Sequence, residues 1–111
     1  MADRTERRLT PRVTSRFPMR YRAIPVTGAG YFDASVEDVS TEGVRFRCGE
    51  GVRVRSGLLF ELQIPGAQPA CTLGRAAWVR ELPGAAGYEV GSAFVDQSTA
   101  TRKRIERHIQ P

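Results

Sequence analysis

The stretch Leu58–Ile64, with the sequence LLFELQI, decides the fold class because apolar side chains recur in it at every second position. In an extended chain every second side chain lies on the same face, so its four even-numbered apolar residues would share one face. Glu61 and Gln63 would lie on the opposite face. This period of two predicts a strand with one buried face.

Five further segments carry strand patterns of the same kind. They lie at about Phe17–Arg22, Tyr31–Val39, Val44–Cys48, Cys71–Leu82 and Tyr88–Val95. Pro18 favours an edge or irregular position for the first segment, because proline cannot donate a ladder hydrogen bond. Six strands without helices between them predict an antiparallel barrel or sandwich.

The final segment changes to a helical period. Ile105 and Ile109 would lie on one face of a helix over about residues 98–110, and Asp96 or Ser98 can cap its N-terminus. A helix that closes one end of a barrel would bury both isoleucines.

Composition limits the class of protein. A chain of 111 residues has room for one hydrophobic core, and no apolar run approaches the roughly 20 residues of a membrane span. We therefore expect no membrane insertion and a cytoplasmic location. Cys48 and Cys71 lack metal-site spacing and are predicted to be reduced core thiols, and the single histidine, His108, cannot form a typical metal site.

The positive charge is concentrated at the N-terminus. The first 22 residues hold seven arginines against Asp3 and Glu6, a balance that equals the net charge of +5 for the whole chain. Residues 1–12 are polar and lack periodicity, so they are predicted to be a flexible arm. Such an arm is suited either to anions or to solvent alone.

Residues 7–12 of this arm read Arg-Arg-Leu-Thr-Pro-Arg. Arginine pairs bidentately with phosphate oxygens and with the O6 and N7 acceptors of guanine. Arg8 and Arg12 lie four residues apart, and Pro11 favours an extended backbone between them. Both side chains could therefore project towards the body of the protein.

A second segment, residues 38–43, reads Asp-Val-Ser-Thr-Glu-Gly. Asp38 and Ser40 are two apart and would share a strand face, while Gly43 permits a positive backbone φ and leaves room for a ligand. A carboxylate there can accept from guanine N–H donors. Together the two segments suit a guanine nucleotide with more than one phosphate, although the second segment alone is also typical of an ordinary turn.

The combination R-x-x-x-R followed by D-x-S-x-x-G at the start of a six-strand pattern resembles the PilZ domain family. Residues 37–46, 74–80 and 88–96 are similar to that family's motif turn, its Trp-bearing strand and its last strand. The resemblance covers about residues 6–110. It implies an arm at residues 1–12 and, at residues 13–111, a six-stranded antiparallel β-barrel with a C-terminal helix.

The resemblance further implies a stand-alone receptor for the bacterial second messenger cyclic di-GMP, with no other cofactor. The residues that it assigns to the ligand are Arg7, Arg8, Arg12, Asp38, Ser40, Gly43, Trp78 and Gly91. Trp78 would lie against a ligand base or belong to the barrel wall, and Arg7 matches members associated with a stacked pair of ligands. An unidentified downstream protein would read the bound state.

Three other functions are less consistent with the sequence. Catalysis lacks a nucleophile–base pair, a metal cluster or a Walker-type loop. A nucleic-acid binder would use the basic arm but would gain little from Asp38. A ligand-independent adaptor of the same family would not need the motif positions, all of which are filled here.

Overall fold

The computed structural model describes residues 13–14, 16–24, 30–95 and 97–109. The strands in this part of the chain are β1 (Val13–Thr14), β2 (Pro18–Ile24), β3 (Phe32–Val39), β4 (Gly43–Cys48), β5 (Gly57–Leu62), β6 (Ala70–Glu81) and β7 (Tyr88–Val95). Helix α1 spans Thr99–Ile109, and one 3-10 turn at Pro83–Ala85 connects β6 to β7.

Six of these strands close into an antiparallel barrel. Their order is β3-β2-β5-β6-β7-β4, and β4 pairs again with β3 to complete the ring. The predicted six-stranded barrel is therefore confirmed. The two-residue strand β1 lies beside the end of β3, where Val13 pairs with Val39 and Thr14 with Asp38.

Alternation along the strands produces the core. Leu58, Phe60, Leu62 and Ile64 are all buried, as the period of two predicted. They pack with inward residues of the other strands, of which Phe46 is the largest fully buried side chain. Closing the sheet leaves each barrel strand with a partner on both sides, which removes the free edges of an open sheet.

The expectation of an edge or irregular position for β2 is wrong. β2 pairs with β3 on one side and with β5 on the other. Pro18 is tolerated because it is the first residue of the strand, where its carbonyl accepts a hydrogen bond from the Gln63 N–H at 3.0 Å.

Helix α1 packs at the end of the barrel where β2 and β6 begin. The Ser98 hydroxyl accepts from the Thr101 N–H at 3.1 Å, so Ser98 is the N-cap, while Asp96 lies outside the described residues. Ile105 is fully buried, as predicted, whereas Ile109 is only partly buried. The Thr101 hydroxyl donates to the carbonyl of Cys71 at 3.2 Å and ties the helix to β6.

The two cysteines differ in exposure, and both are free. Cys48 is buried, as predicted, whereas Cys71 is exposed. The prediction for Cys71 is wrong because its position on β6 alternates with the buried Ala70 and Thr72 and so faces outward. Within the described residues no helix combines the length and apolar character needed to cross a membrane.

Candidate functional site

A row of cross-strand pairs runs over four neighbouring strands on the outside of the barrel. Asp38 of β3 pairs with Arg45 of β4, and Arg45 pairs with Gly91 of β7. Gly91 in turn pairs with Trp78 of β6. The register therefore brings three of the predicted site residues together with Arg45.

Two β-bulges set the direction of the row. The register shifts just before Asp38 in β3 and just before Trp78 in β6, so that Glu37 and Ala77 are extra residues. Val36 is fully buried, and strict alternation would also turn Asp38 into the core. The extra residue instead turns the carboxylate to the outer face, which is how a bulge re-aims a side chain.

Arg45 covers the Asp38 carboxylate. Its Nε donates to Asp38 Oδ2 at 2.8 Å, and its Nη2 lies 2.7 Å from the same oxygen. Asp38 is only 6% exposed although it faces outward. These charge-assisted contacts compensate the carboxylate for the water that it loses.

Glu89 extends the ionic network to two more strands. Its Oε2 accepts from Arg45 Nη1 at 2.8 Å, and its Oε1 accepts from Arg80 of β6. Burial lowers the pKa of Arg45. Its hydrogen bond to Asp38 and the charges of Asp38 and Glu89 raise the pKa by a larger total amount, so the net shift is upward. The guanidinium therefore stays charged at any physiological pH.

Trp78 and Gly91 form the other half of the row. The indole of Trp78 lies over Gly91 so closely that a Cβ on Gly91 would overlap Cε2 and Nε1 of the ring. Trp78 is nevertheless 42% exposed. Gly91 thus provides the flat surface on which the indole rests, and the indole presents much of its area to solvent.

The row lines an open cavity of about 480 Å³. Its lining residues are Asp38, Arg45, Ala77, Trp78, Gly91, Ser92 and Ala93. This volume is within the range of about 300–1,000 Å³ that is typical of small-molecule sites.

Ser40 and Gly43 have local structural roles. The Ser40 hydroxyl accepts from the Glu42 N–H at 3.1 Å, and its backbone N–H donates to the Gly43 carbonyl at 2.9 Å. Gly43 does not use the positive φ that the sequence suggested, since only Gly66, Gly84 and Gly87 do so among the described glycines. A Cβ on Gly43 would overlap the Ser92 carbonyl, so its lack of a side chain serves the contact of β4 with β7.

The base of the N-terminal arm lies beside the site. Arg7, Arg8 and Arg12 are outside the described residues, and their predicted roles remain predictions. Strand β1 runs antiparallel to the last two residues of β3, with Thr14 opposite Asp38. Val13, the first described residue, therefore lies at the end of β3 that carries the D-x-S-x-x-G segment.

The sequence profile of the PilZ domain family matches residues 6–110. The chain belongs to the PilZ domain family. The resemblance noted in the sequence is therefore confirmed over nearly the whole chain. A comparison with curated protein sequences finds no match.

Solved PilZ structures share the fold of this PilZ domain. The inhibitor of motility MotI/DgrA of Bacillus subtilis is similar with a TM-score of 0.76 at 10% identity, over 97% of this chain and 54% of that chain. The chain thus spans about half the length of MotI. The PilZ domain of YcgR from Escherichia coli, solved with c-di-GMP, gives a TM-score of 0.73 at 12% identity, over 93% and 88%.

A third similar structure is the PilZ domain of CeSA from a cellulose-synthesizing bacterium. Its TM-score is 0.62 at 12% identity, over 87% of this chain and 92% of that chain. At identities this low, the structural similarity shows a common fold and nothing more. The chemistry of the site must therefore be argued from this chain's own residues.

The row in this PilZ domain combines three groups of different chemistry. Asp38 can accept from N–H donors, Arg45 brings a permanent positive charge, and Trp78 presents an exposed aromatic face. No group of three or more potential metal ligands occurs among the described residues.

Sequence reasoning missed Arg45, Arg80 and Glu89. Their pairing depends on strand register, since Glu89 lies 44 positions from Arg45 in sequence. The available signal was the outward alternation of Arg45 and Arg47 in β4, which placed a cation beside Asp38 once β3 and β4 were joined by a short turn.

Proposed function

We propose that this PilZ domain is a receptor for cyclic di-GMP that acts by binding and not by catalysis. The observation that carries the proposal is the row of Asp38, Arg45, Gly91 and Trp78 lining an open cavity beside the motif. The YcgR domain, which has the same fold, was solved with c-di-GMP, and this supports the choice of ligand.

In this proposal each group of the site has a defined task. Asp38 accepts from the N1–H and N2–H donors of one guanine, and a base stacks on the exposed face of Trp78. Ser40 and Gly43 keep the motif turn in shape beside Asp38. Gly91 keeps the floor of the cavity flat.

The arm supplies the remaining contacts. Arg8 and Arg12 bind phosphate oxygens or the O6 and N7 edge of guanine, and Arg7 extends the site towards a second ligand molecule. Each good bidentate contact contributes about 1–3 kcal/mol. Micromolar affinity needs about 8 kcal/mol. Several such contacts suffice for it after the entropy cost of ordering the arm has been subtracted.

The bound arm is the surface that a partner protein would read. Because β1 fixes the base of the arm beside β3, ligand binding would order residues 6–13 over this side of the barrel. We expect this event to take place in the bacterial cytoplasm and to favour one conformation that a downstream protein recognises.

Isothermal titration tests the ligand. We expect heat with cyclic di-GMP and a dissociation constant at or below the micromolar range, with little or no heat from GTP or a short oligonucleotide. The sole tryptophan, Trp78, lines the cavity, so its fluorescence should change at the same stoichiometry. Absence of both signals well above micromolar ligand would refute the proposal.

A pair of arginine variants separates specific contacts from diffuse charge. Arg12→Ala should weaken binding by about tenfold or more, equivalent to ~1.4 kcal/mol. Arg20→Ala removes the same charge from β2. Arg20 does not line the cavity, and its Nη2 lies 2.5 Å from Glu61 Oε1, so its loss should have little effect on binding. Equal losses in the two variants would favour a general anion binder.

A further inference from the structure

Glu89 is a buried charge that the proposed ligand contacts do not use. It belongs to the outward row of β7 but is only 2% exposed, because two arginines cover it. A carboxylate removed from water is strongly unfavourable unless it is paired and hydrogen-bonded. The chain therefore keeps Glu89 buried only in combination with its partners.

The two oxygens of Glu89 bind different strands. Oε2 accepts from Arg45 of β4, and Oε1 accepts from Arg80 of β6. A further buried carboxylate, Glu37, is paired more loosely, with both arginine contacts at 3.4 Å. Glu89 is thus the more tightly paired of the two.

Arg45 is consequently held from both ends. Its Nε and Nη2 contact Asp38 Oδ2, while its Nη1 donates to Glu89 Oε2. A planar guanidinium fixed at two edges has little rotational freedom, so it transmits the position of Glu89 to Asp38.

We propose that Glu89 is a positioning residue of the ligand site, which sets the direction of the Asp38 carboxylate through Arg45 without touching the ligand itself. This inference rests on the proposed function for its binding readout. The geometry that the inference assigns to Glu89, Arg45 and Asp38 in the unliganded protein is independent of the proposed function.

A double-mutant cycle tests the inference in the full chain. Glu89→Gln should weaken binding of cyclic di-GMP by about tenfold, in the range expected for residues that share one ionic network. In an Asp38→Asn background the same substitution should change the affinity by less than about twofold, because its route to the ligand is already broken. Additive effects would overturn the inference.

A matched control removes general effects of charge loss. Glu61→Gln breaks an Arg–Glu pair on the outer face of β5, at a contact of 2.5 Å, and should leave the affinity unchanged. Arg45→Lys keeps the charge but loses the two-edged geometry and should weaken binding in the same non-additive way. If Glu89→Gln does not fold, Arg45→Lys completes the cycle in its place.

A ligand-free measurement separates this inference from the proposed function. The Nε–H of Arg45, identified by its loss in Arg45→Lys, should exchange slowly with solvent in NMR spectra of the wild-type protein. Glu89→Gln should accelerate that exchange, whereas Glu61→Gln should not. Unchanged exchange in Glu89→Gln refutes the positioning role, and absence of ligand heat in the wild-type protein refutes only the proposed function.

Discussion

Gly43 shows how the absence of one side chain permits a strand pairing. It lies opposite Ala93 in the β4–β7 ladder, and a Cβ at Gly43 would overlap the neighbouring Ser92 carbonyl. The backbone of β7 cannot yield as a flexible side chain could. The close approach of these strands therefore depends on glycine at this position.

We expect Gly43→Ala to lower the free energy of unfolding by about 2 kcal/mol or more, because β4 and β7 must separate to admit the methyl group. Urea denaturation measures the change. Gly49→Ala is the control, since a Cβ at Gly49 meets no atom within 4 Å and should alter stability little. If Gly43→Ala weakens ligand binding at unchanged stability, the glycine serves the ligand and not the ladder.

At the scale of elements, α1 completes the core of the barrel. Ile105 is fully buried, Ser98 caps the first turn, and Thr101 connects that turn to the carbonyl of Cys71. The helix is short, so it depends on this packing for its stability more than on its own propensity.

Substitutions in α1 should separate capping from packing. Ile105→Ala should lower the free energy of unfolding by about 2–5 kcal/mol through loss of apolar contact and cavity formation. Ser98→Ala should lower it by about 1 kcal/mol, the usual value of an N-cap. Thermal unfolding followed by circular dichroism gives both values, and a larger effect at Ser98 than at Ile105 would contradict this ranking.

The sequence predicts the positions of the strands better than it predicts which strands pair with each other. The positions of β5 and β7 follow from local alternation, which depends only on which face is buried. The pairing of β2 on both sides does not follow from Pro18, because it depends on closure of the whole sheet. The same limit hid Glu89, whose arginine partners belong to other strands.

The candidate site was predictable to the extent that its residues lie in local motifs. Asp38 and Trp78 could be singled out from their segments. The outward direction of Asp38 comes from a bulge, however, which strand phasing alone could not indicate. The hydrogen bond that the Ser40 hydroxyl accepts from the Glu42 N–H belongs to the ordinary turn that the segment also suggested.

At the scale of the molecule, folding changes the accessibility of the two thiols differently, because Cys48 is buried and Cys71 is exposed. Burial raises the pKa of the Cys48 thiol. The folded state therefore favours the protonated form, and this stabilisation is complete below the ordinary thiol pKa of about 8.5 and is lost as pH rises above it. Cys71 is exposed to reagents throughout.

We expect iodoacetamide to modify one thiol per chain quickly at pH 8, and Cys71→Ser to abolish that fast reaction. Cys48 should react only on global opening, because it is part of the buried core. Mass spectrometry of the timed reaction identifies the modified residue. Rapid modification of both cysteines in the folded protein would contradict the buried position of Cys48.

The seam between β4 and β7 has a consequence for folding kinetics. It joins residues as far apart in sequence as Gly43 and Ala93. Such non-local pairing is slow to form because bringing the two ends of the intervening segment together costs conformational entropy. Asp38 and Arg45 lie on one side of this seam, and Glu89 and Gly91 lie on the other. A nascent or refolding chain with only its local hairpins in place would therefore have no site, and the cavity would form only when β4 and β7 pair.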